Sequence, residues 1–171
     1  MDIDKKKRIF EKYDRTFYNK LYFDEQTGGF VVIHLQHSIY ELEENTFFGL
    51  ALAKHGYCIE LLPLFNVENQ KNPDAAINNI IADFKRPKKF TNLRSAIQNR
   101  IKSAGNQLVE IAVIGLEKNK TDKNELRRGL IGAFSKGWNH TIQQVWLLFD
   151  GNQLIILTRE MIIRKQIEIP F

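Results

Sequence analysis

Three charged residues in the middle of the chain have types and spacing suited to phosphodiester cleavage. Asp74, in a Pro-Asp pair, is followed nine positions later by Asp83, and Lys85 comes two positions after that. Two carboxylates can hold a hard cation such as Mg²⁺, which stabilises charge on a phosphodiester and activates water. A lysine ammonium can orient the water or neutralise the pentacovalent phosphorus. We therefore predict Asp74 and Asp83 as ligands of Mg²⁺ or Mn²⁺, with Lys85 as the catalytic cation.

The chemistry requires that the segment from Asn72 to Lys85 bring these groups together. A helix starting at Asn72-Pro73 is one possibility, because Asn is a good N-cap and apolar residues follow at helical spacing. The rival is a hairpin that turns at Asn78-Asn79, with Ile80 to Lys85 as the return strand. In that strand Asp83 and Lys85 would point to the same side. We favour the hairpin, because it assembles the three charged groups.

A basic and aromatic cluster lies directly after the motif, around Phe90. Such clusters bind nucleic-acid phosphates, although a solvated helix face gives the same pattern. The chain as a whole has a formal charge of +5 and an isoelectric point near 9.3, which permits a polyanionic partner. We predict five nucleic-acid-binding residues in this region, which are Arg86, Lys88, Lys89, Arg94 and Arg100.

Histidines offer a second mechanism that needs no metal. His34 and His37 are three positions apart, and His55 and Lys85 are further candidates. Such groups can act as general acid and base while the 2′-hydroxyl of RNA attacks its own phosphodiester. The same histidines are also explained as loop residues or residues packed near a helix start, so the sequence leaves both interpretations open.

The remaining pattern predicts a mixed α/β or α+β fold, with a central mixed sheet and flanking helices. Helical spacing is found near the N-terminus, and we expect a helical arm at about residues 1–25. A capping box at Ser38 to Glu41 predicts a helix that runs to His55 and stops at Gly56. Further predicted elements are helices from Thr91 to Gly105 and from Asn124 to Trp138, an apolar strand at 109–116, and a hairpin around Asp150-Gly151.

Composition limits the class of protein. The 171 residues and the hydrophobic content of 43% suit one domain with an ordinary core, and no linker divides the chain. We therefore expect a single nuclease-like domain over 1–171. The apolar runs are too short for a transmembrane helix and no secretory signal is visible, so we expect a cytoplasmic protein. Cys58 is the sole cysteine and is expected to pack in a strand.

The order of elements around Asp74, Asp83 and Lys85 resembles the PD-(D/E)XK nuclease superfamily, over about Ser38 to Leu116. The resemblance implies a restriction-endonuclease-like core and a metal-dependent nuclease. In that superfamily a glutamate of the first helix often completes the metal site. Glu44 is our choice for this catalytic and metal-binding acid, because apolar residues at 47, 48 and 51 place it beside the inward face, and Glu43 is the substitute.

A closer similarity is to the C-terminal toxin domains of bacterial contact-dependent inhibition and mobile-element proteins, many of which are described as tRNA nucleases. It implies a tRNA, RNA or DNA substrate and a cognate inhibitor or immunity protein. The alternative is a catalytically silent nucleic-acid-binding or protein-binding module with the same fold. One departure from the family is Asn78-Asn79, where a glycine-containing turn is expected. The segments that carry the similarity are Gly29-Phe30-Val31-Val32-Ile33-His34, Leu52-Ala53-Lys54-His55-Gly56, Ile59-Glu60-Leu61-Leu62-Pro63, Asn72-Pro73-Asp74 and Phe84-Lys85.

Overall fold

The structure is a computed structural model that describes residues 1–65, 71–87, 92–135 and 141–170. It divides into two compact units, Met1–Ile81 and Ala82–Phe171, and the boundary falls within a strand, Ile80–Lys85. Each unit combines helices with a mixed sheet, which confirms the predicted mixed α/β class. The restriction-endonuclease-like core and the single nuclease-like domain stay predictions. No helix of the described residues is both long and apolar enough to cross a membrane.

In the first unit, helix α2 packs on a four-stranded sheet whose strands follow chain order. β1 and β2 are antiparallel, β2 and β3 are parallel, and β3 and β4 are antiparallel. The bounds are α1 Ile3–Lys12, β1 Tyr18–Phe23, β2 Phe30–His34, α2 Leu42–Lys54, β3 Cys58–Leu61 and β4 Ala75–Ile77.

Local chemistry explains both ends of α2. The predicted capping box is wrong: α2 begins at Leu42, and its N-cap Glu41 makes no side-chain cap. The Glu41 amide instead donates to the Ser38 carbonyl, which closes a turn before the helix. The predicted end is confirmed, because Gly56 takes a φ of +86° that side chains rarely allow. Gly29 is needed next to this helix, since a Cβ there would lie 1.9 Å from the Ala53 carbonyl oxygen.

In the second unit, the strands again follow chain order and α3 packs on α4. β5 and β6 are parallel, as are β6 and β7, and β8 returns antiparallel to β7. All six residues of β6 are buried, as predicted for an inner strand. The bounds are β5 Ile80–Lys85, α3 Leu93–Asn106, β6 Ile111–Leu116, α4 Lys123–Ser135, β7 Gln144–Phe149, β8 Gln153–Thr158 and α5 Arg159–Ile163, with a short 3-10 turn at Lys118–Lys120.

Several elements differ from the expected pattern. The N-terminal region assigned to a helical arm contains α1 and then a strand, β1. The N-cap of α3 is Asn92, whose side chain accepts a hydrogen bond from the Ser95 amide. Thr91, where the helix was predicted to start, lies outside the described residues. Gly105 is buried inside α3 and does not end it. The hairpin at Asp150-Gly151 is confirmed: its loop is residues 150–152, and Asp150 and Gly151 both have positive φ.

Candidate active site

The chain around the predicted motif is a hairpin, so the helical alternative for Asn72 to Phe84 is wrong. β4 ends at Ile77, β5 begins at Ile80, and the residues between them, Asn78 and Asn79, have φ values of 48° and 69°. Two-residue turns of this kind need positive φ at both positions, and Asn tolerates it better than other residues with side chains. Asn78 also binds Cys58 of β3 twice, through backbone and side chain, which explains an asparagine where the family pattern suggested glycine.

Asp74 lies just before β4, in the first unit. Its side chain is buried, with 7% of the residue exposed, and its Oδ1 accepts a hydrogen bond from Asn45 Nδ2 at 3.3 Å. The Asp74 carbonyl accepts the Leu62 amide at 3.0 Å, which ties the residue to the chain leaving β3. Asp74 lines a small open pocket together with His37, Ser38, Glu41 and residues 62–64, 72 and 73.

Asp83 and Lys85 lie on β5, in the second unit. The Lys85 ammonium is 2.6 Å from Asp83 Oδ2, and the two side chains are 18% and 2% exposed. The prediction that they point to the same side of one strand is confirmed. The contact is an ion pair without hydrogen-bond geometry, because Asp83 Oδ2 is buried and has no hydrogen-bond partner among the described residues. A buried carboxylate is tolerated here because a cation lies beside it.

The carboxylate oxygens of Asp74 and Asp83 are ligands of the type that divalent cations such as Mg²⁺ bind. Among residues 1–65, 71–87, 92–135 and 141–170, no three His, Cys, Asp or Glu side chains form a group that could hold a metal ion. Mg²⁺, however, is usually bound through one or two carboxylates together with waters and substrate phosphates. Asp83 Oδ2 is a buried oxygen that receives no hydrogen bond, so it fits such a ligand, and a bound cation would compete with Lys85 for it.

The other predicted residues are placed as follows. Glu44 lies in the first two turns of α2 and is half-buried, whereas Glu43 is exposed. Arg94 and Arg100 are exposed on α3, and Arg86 is exposed just after β5, where it lines a small pocket with residues 87, 115–117, 120 and 121. Lys88 and Lys89 lie outside the described residues. The convergence of Asp74, Asp83, Lys85 and Glu44 on one site stays a prediction.

Sequence reasoning missed the partners of two acidic residues. Asn45 was not a candidate, since a lone Asn inside a helix carries no motif, yet it is 3% exposed and contacts Asp74. Glu60 enters the sequence analysis only as part of the segment Ile59 to Pro63. In the structure it accepts hydrogen bonds from Tyr13 and Tyr18, at 3.1 and 2.9 Å. The sequence feature that could have predicted these contacts is a carboxylate in a short apolar strand with two tyrosines upstream.

These contacts change how the two tyrosines ionise. Burial, and then the hydrogen bond and negative charge of Glu60, raise the pKa of Tyr18 to about 12. Burial and Glu60 also raise the pKa of Tyr13 well above its ordinary value of 10.0. Both phenols are therefore donors that anchor the N-terminal residues to β3. This assigns Glu60 a structural role in the first unit.

Comparison with known proteins supports the toxin resemblance. The sequence model of a family described as "Contact-dependent growth inhibition CdiA C-terminal domain" matches residues 71–154, which include Asp74, Asp83 and Lys85. A solved structure, the "CdiA-CT/CdiI toxin and immunity complex from Burkholderia pseudomallei", is similar with 18% identity and a TM-score of 0.48, covering 72% of this chain and 90% of that one. No curated protein matches the chain significantly. Over residues 71–154, therefore, the predicted similarity to C-terminal toxin domains of contact-dependent growth inhibition proteins is confirmed.

Proposed function

We propose that the chain is a metal-dependent nuclease of the PD-(D/E)XK type that acts as a growth-inhibiting toxin. The observation that carries the proposal is the pair formed by Asp83 and Lys85. The Asp83 side chain is 2% exposed and its Oδ2 accepts no hydrogen bond among the described residues, so a divalent cation could bind this oxygen without breaking a hydrogen bond to it. The family match over 71–154 includes both residues.

Asp74 is proposed as the second carboxylate of the site. Three residues separate Asp74 from the turn at Asn78-Asn79, and three separate the turn from Asp83. We propose from this equal spacing about the turn that both aspartates contribute to the site. A bound Mg²⁺ or Mn²⁺ would supply charge stabilisation at the phosphodiester and an activated water. Glu44 is proposed as the third acid.

Lys85 is proposed to act on the phosphate, since an ammonium beside the metal-binding carboxylate can neutralise developing negative charge. Arg86, Lys88, Lys89, Arg94 and Arg100 are proposed to bind phosphates of the nucleic acid. The substrate class is tRNA, another RNA or DNA.

The structure gives one reason to prefer the metal mechanism over the histidine mechanism. His37 Nδ1 lies 2.6 Å from the Leu62 carbonyl oxygen, and its Nε2 lies 3.2 Å from Asn45 Nδ2. Both ring nitrogens are thus engaged within the protein, whereas a general acid or base needs one directed at the substrate. His34 Nδ1 accepts a hydrogen bond from the Gln36 amide, and the His34 ring packs edge-to-face against Tyr18.

The test is cleavage of unfractionated tRNA and of plasmid DNA by the purified chain, with Mg²⁺ and with EDTA. We expect EDTA and Asp83→Asn each to stop cleavage, because the amide is nearly isosteric but lacks the charge that holds the cation. Asp122→Asn is the matched control, since Asp122 caps α4 and Asn caps equally well. Cleavage that survives both EDTA and Asp83→Asn but is lost when the RNA carries 2′-deoxy groups would replace the metal with a histidine mechanism.

A cognate immunity protein is proposed as the partner. A nuclease that inhibits growth would damage the cell that makes it, so a producing cell needs an inhibitor that binds the toxin. We expect a small protein from the same producing strain to bind the chain and to abolish cleavage at equimolar concentration. If the well-folded chain with saturating Mn²⁺ cuts neither tRNA nor DNA, and calorimetry detects no metal binding, the silent binding module replaces the nuclease.

A further inference from the structure

Asn45 joins two residues of the first unit that the sequence treats as separate candidates. It is 3% exposed on α2, and its Nδ2 lies 3.2 Å from His37 Nε2 and 3.3 Å from Asp74 Oδ1. The amide orientation follows from the chemistry of its partners, because exchanging its nitrogen and oxygen would place two acceptor oxygens against each other at Asp74. Asn45 therefore gives one N–H to the imidazole and the other to the carboxylate.

His37 fixes the amide from the other side. Its Nδ1 is 2.6 Å from the Leu62 carbonyl oxygen, which can only accept, so Nδ1 carries the hydrogen and donates. Nε2 must then accept from Asn45. This assigns the tautomer of His37 and makes it a support for the Asn45 amide.

The network closes on itself through the backbone. The Leu62 amide donates to the Asp74 carbonyl at 3.0 Å, while the Leu62 carbonyl accepts from His37. Leu62, His37, Asn45 and Asp74 thus form a ring of four hydrogen-bonded contacts. A side chain whose neighbours are themselves hydrogen-bonded in place keeps one orientation, which a catalytic group requires.

We propose that Asn45 is a positioning residue that orients the Asp74 carboxylate for the nuclease reaction, with His37 holding the Asn45 amide. This inference rests on the proposed function. The Asn45 amide is suited to orienting Asp74 because it is uncharged, so its hydrogen bond to Oδ1 does not neutralise the negative charge of the carboxylate. The contact engages Oδ1 only. A lysine in the same place would orient the carboxylate but would reduce its attraction for a cation.

The test compares Asn45→Leu and Asn45→Asp with the parent chain, using unfractionated tRNA and plasmid DNA. Both variants remove the two N–H donors and keep the number and branching of the side-chain heavy atoms, and the second adds a like charge beside Asp74. Residues that orient a metal ligand typically change activity by about 10-fold to 100-fold. We expect kcat to fall by that factor with KM nearly unchanged. Phe48→Leu is the control for a changed side chain buried on the same helix, since Phe48 supplies no N–H or O–H donor to Asp74.

A second measurement separates positioning from general damage. Calorimetry gives the Mn²⁺ affinity of each folded variant. We expect Asn45→Leu to weaken Mn²⁺ binding by about 10-fold to 100-fold, because Asp74 is no longer held in one orientation, while Phe48→Leu leaves the affinity unchanged. An unchanged Mn²⁺ affinity, or a kcat within twofold of the Phe48→Leu control at equal stability, overturns the proposal while the nuclease function stands. A parent chain that cuts neither substrate overturns the proposed function and, with it, this role of Asn45.

Discussion

Asp74 and Asp83 are both buried, but the first accepts a hydrogen bond from an uncharged amide and the second lies beside a cation. Asp74 accepts from Asn45, and Asp83 lies 2.6 Å from the Lys85 ammonium. Removing a neutral donor costs one hydrogen bond, whereas removing the cation leaves a buried, uncompensated charge. Substitution should therefore cost a different amount of stability at each of these two residues of one motif, and stability and activity should separate in different ways at the two positions.

The largest expected effect is on stability at Lys85. Lys85→Met should lower the free energy of unfolding by about 3–5 kcal/mol, because it leaves the Asp83 charge buried without its partner. Asp83→Asn in the Lys85→Met background should restore most of that loss, since the charge is then gone. Denaturant titration of the two single variants and the double variant measures the coupling. Equal stability of Lys85→Met and the parent would show that the ion pair does not compensate the Asp83 charge.

A smaller effect is expected at Asp74. Asp74→Asn keeps an oxygen that can accept a hydrogen bond from Asn45, so at this contact the loss is the difference between a charged and a neutral hydrogen bond, about 1 kcal/mol. The same denaturant titration checks it, with Asp24→Asn as a control at a carboxylate that also accepts hydrogen bonds. A loss as large as that of Lys85→Met would mean that the two aspartates are held in the same way.

The hairpin shows how far sequence patterns reach. The residues at 78–79 and the spacing of Asp83 and Lys85 were enough to predict the turn and the shared side of β5, because both depend on local geometry. The contact of Asn45 with Asp74 spans 29 positions and depends on where α2 packs. No local pattern encodes such a contact. The error at Ser38 to Glu41 has the same origin, since the residues fit a capping box but the Glu41 amide closes a turn instead.

The first unit also contains a carboxylate that serves structure, Glu60, and its effect should depend on pH. The raised pKa of Tyr18, about 12 against 10.0, means that the folded state favours the neutral phenol. The resulting stability is fully present below pH 10 and is lost as pH rises towards about 12. We expect Glu60→Gln to lower the pKa of Tyr18 only part of the way, since burial is the larger cause. Ultraviolet titration, with Tyr18→Phe to assign the transition, measures this, and an unchanged titration in Glu60→Gln would contradict it.

The smallest expected effect concerns the exposed arginines of α3. Arg94→Ala and Arg100→Ala should each weaken binding and lower the slope of log affinity against log salt by about 1, because each phosphate contact releases counterions. Filter binding of duplex DNA at several salt concentrations gives the slope. Arg127→Ala, at an exposed position on α4, is the control. Slopes equal to that of the control would remove these two residues from the proposed nucleic-acid surface.

The proposed metal site requires that Asp74 and Asp83 hold one cation. A crystal soaked in Mn²⁺ and measured at the manganese absorption edge tests this directly. We predict one strong anomalous peak at coordination distance, roughly 2.0–2.3 Å, from a carboxylate oxygen of both aspartates. A peak that touches neither aspartate, or no peak at saturating Mn²⁺, would contradict the proposed metal site.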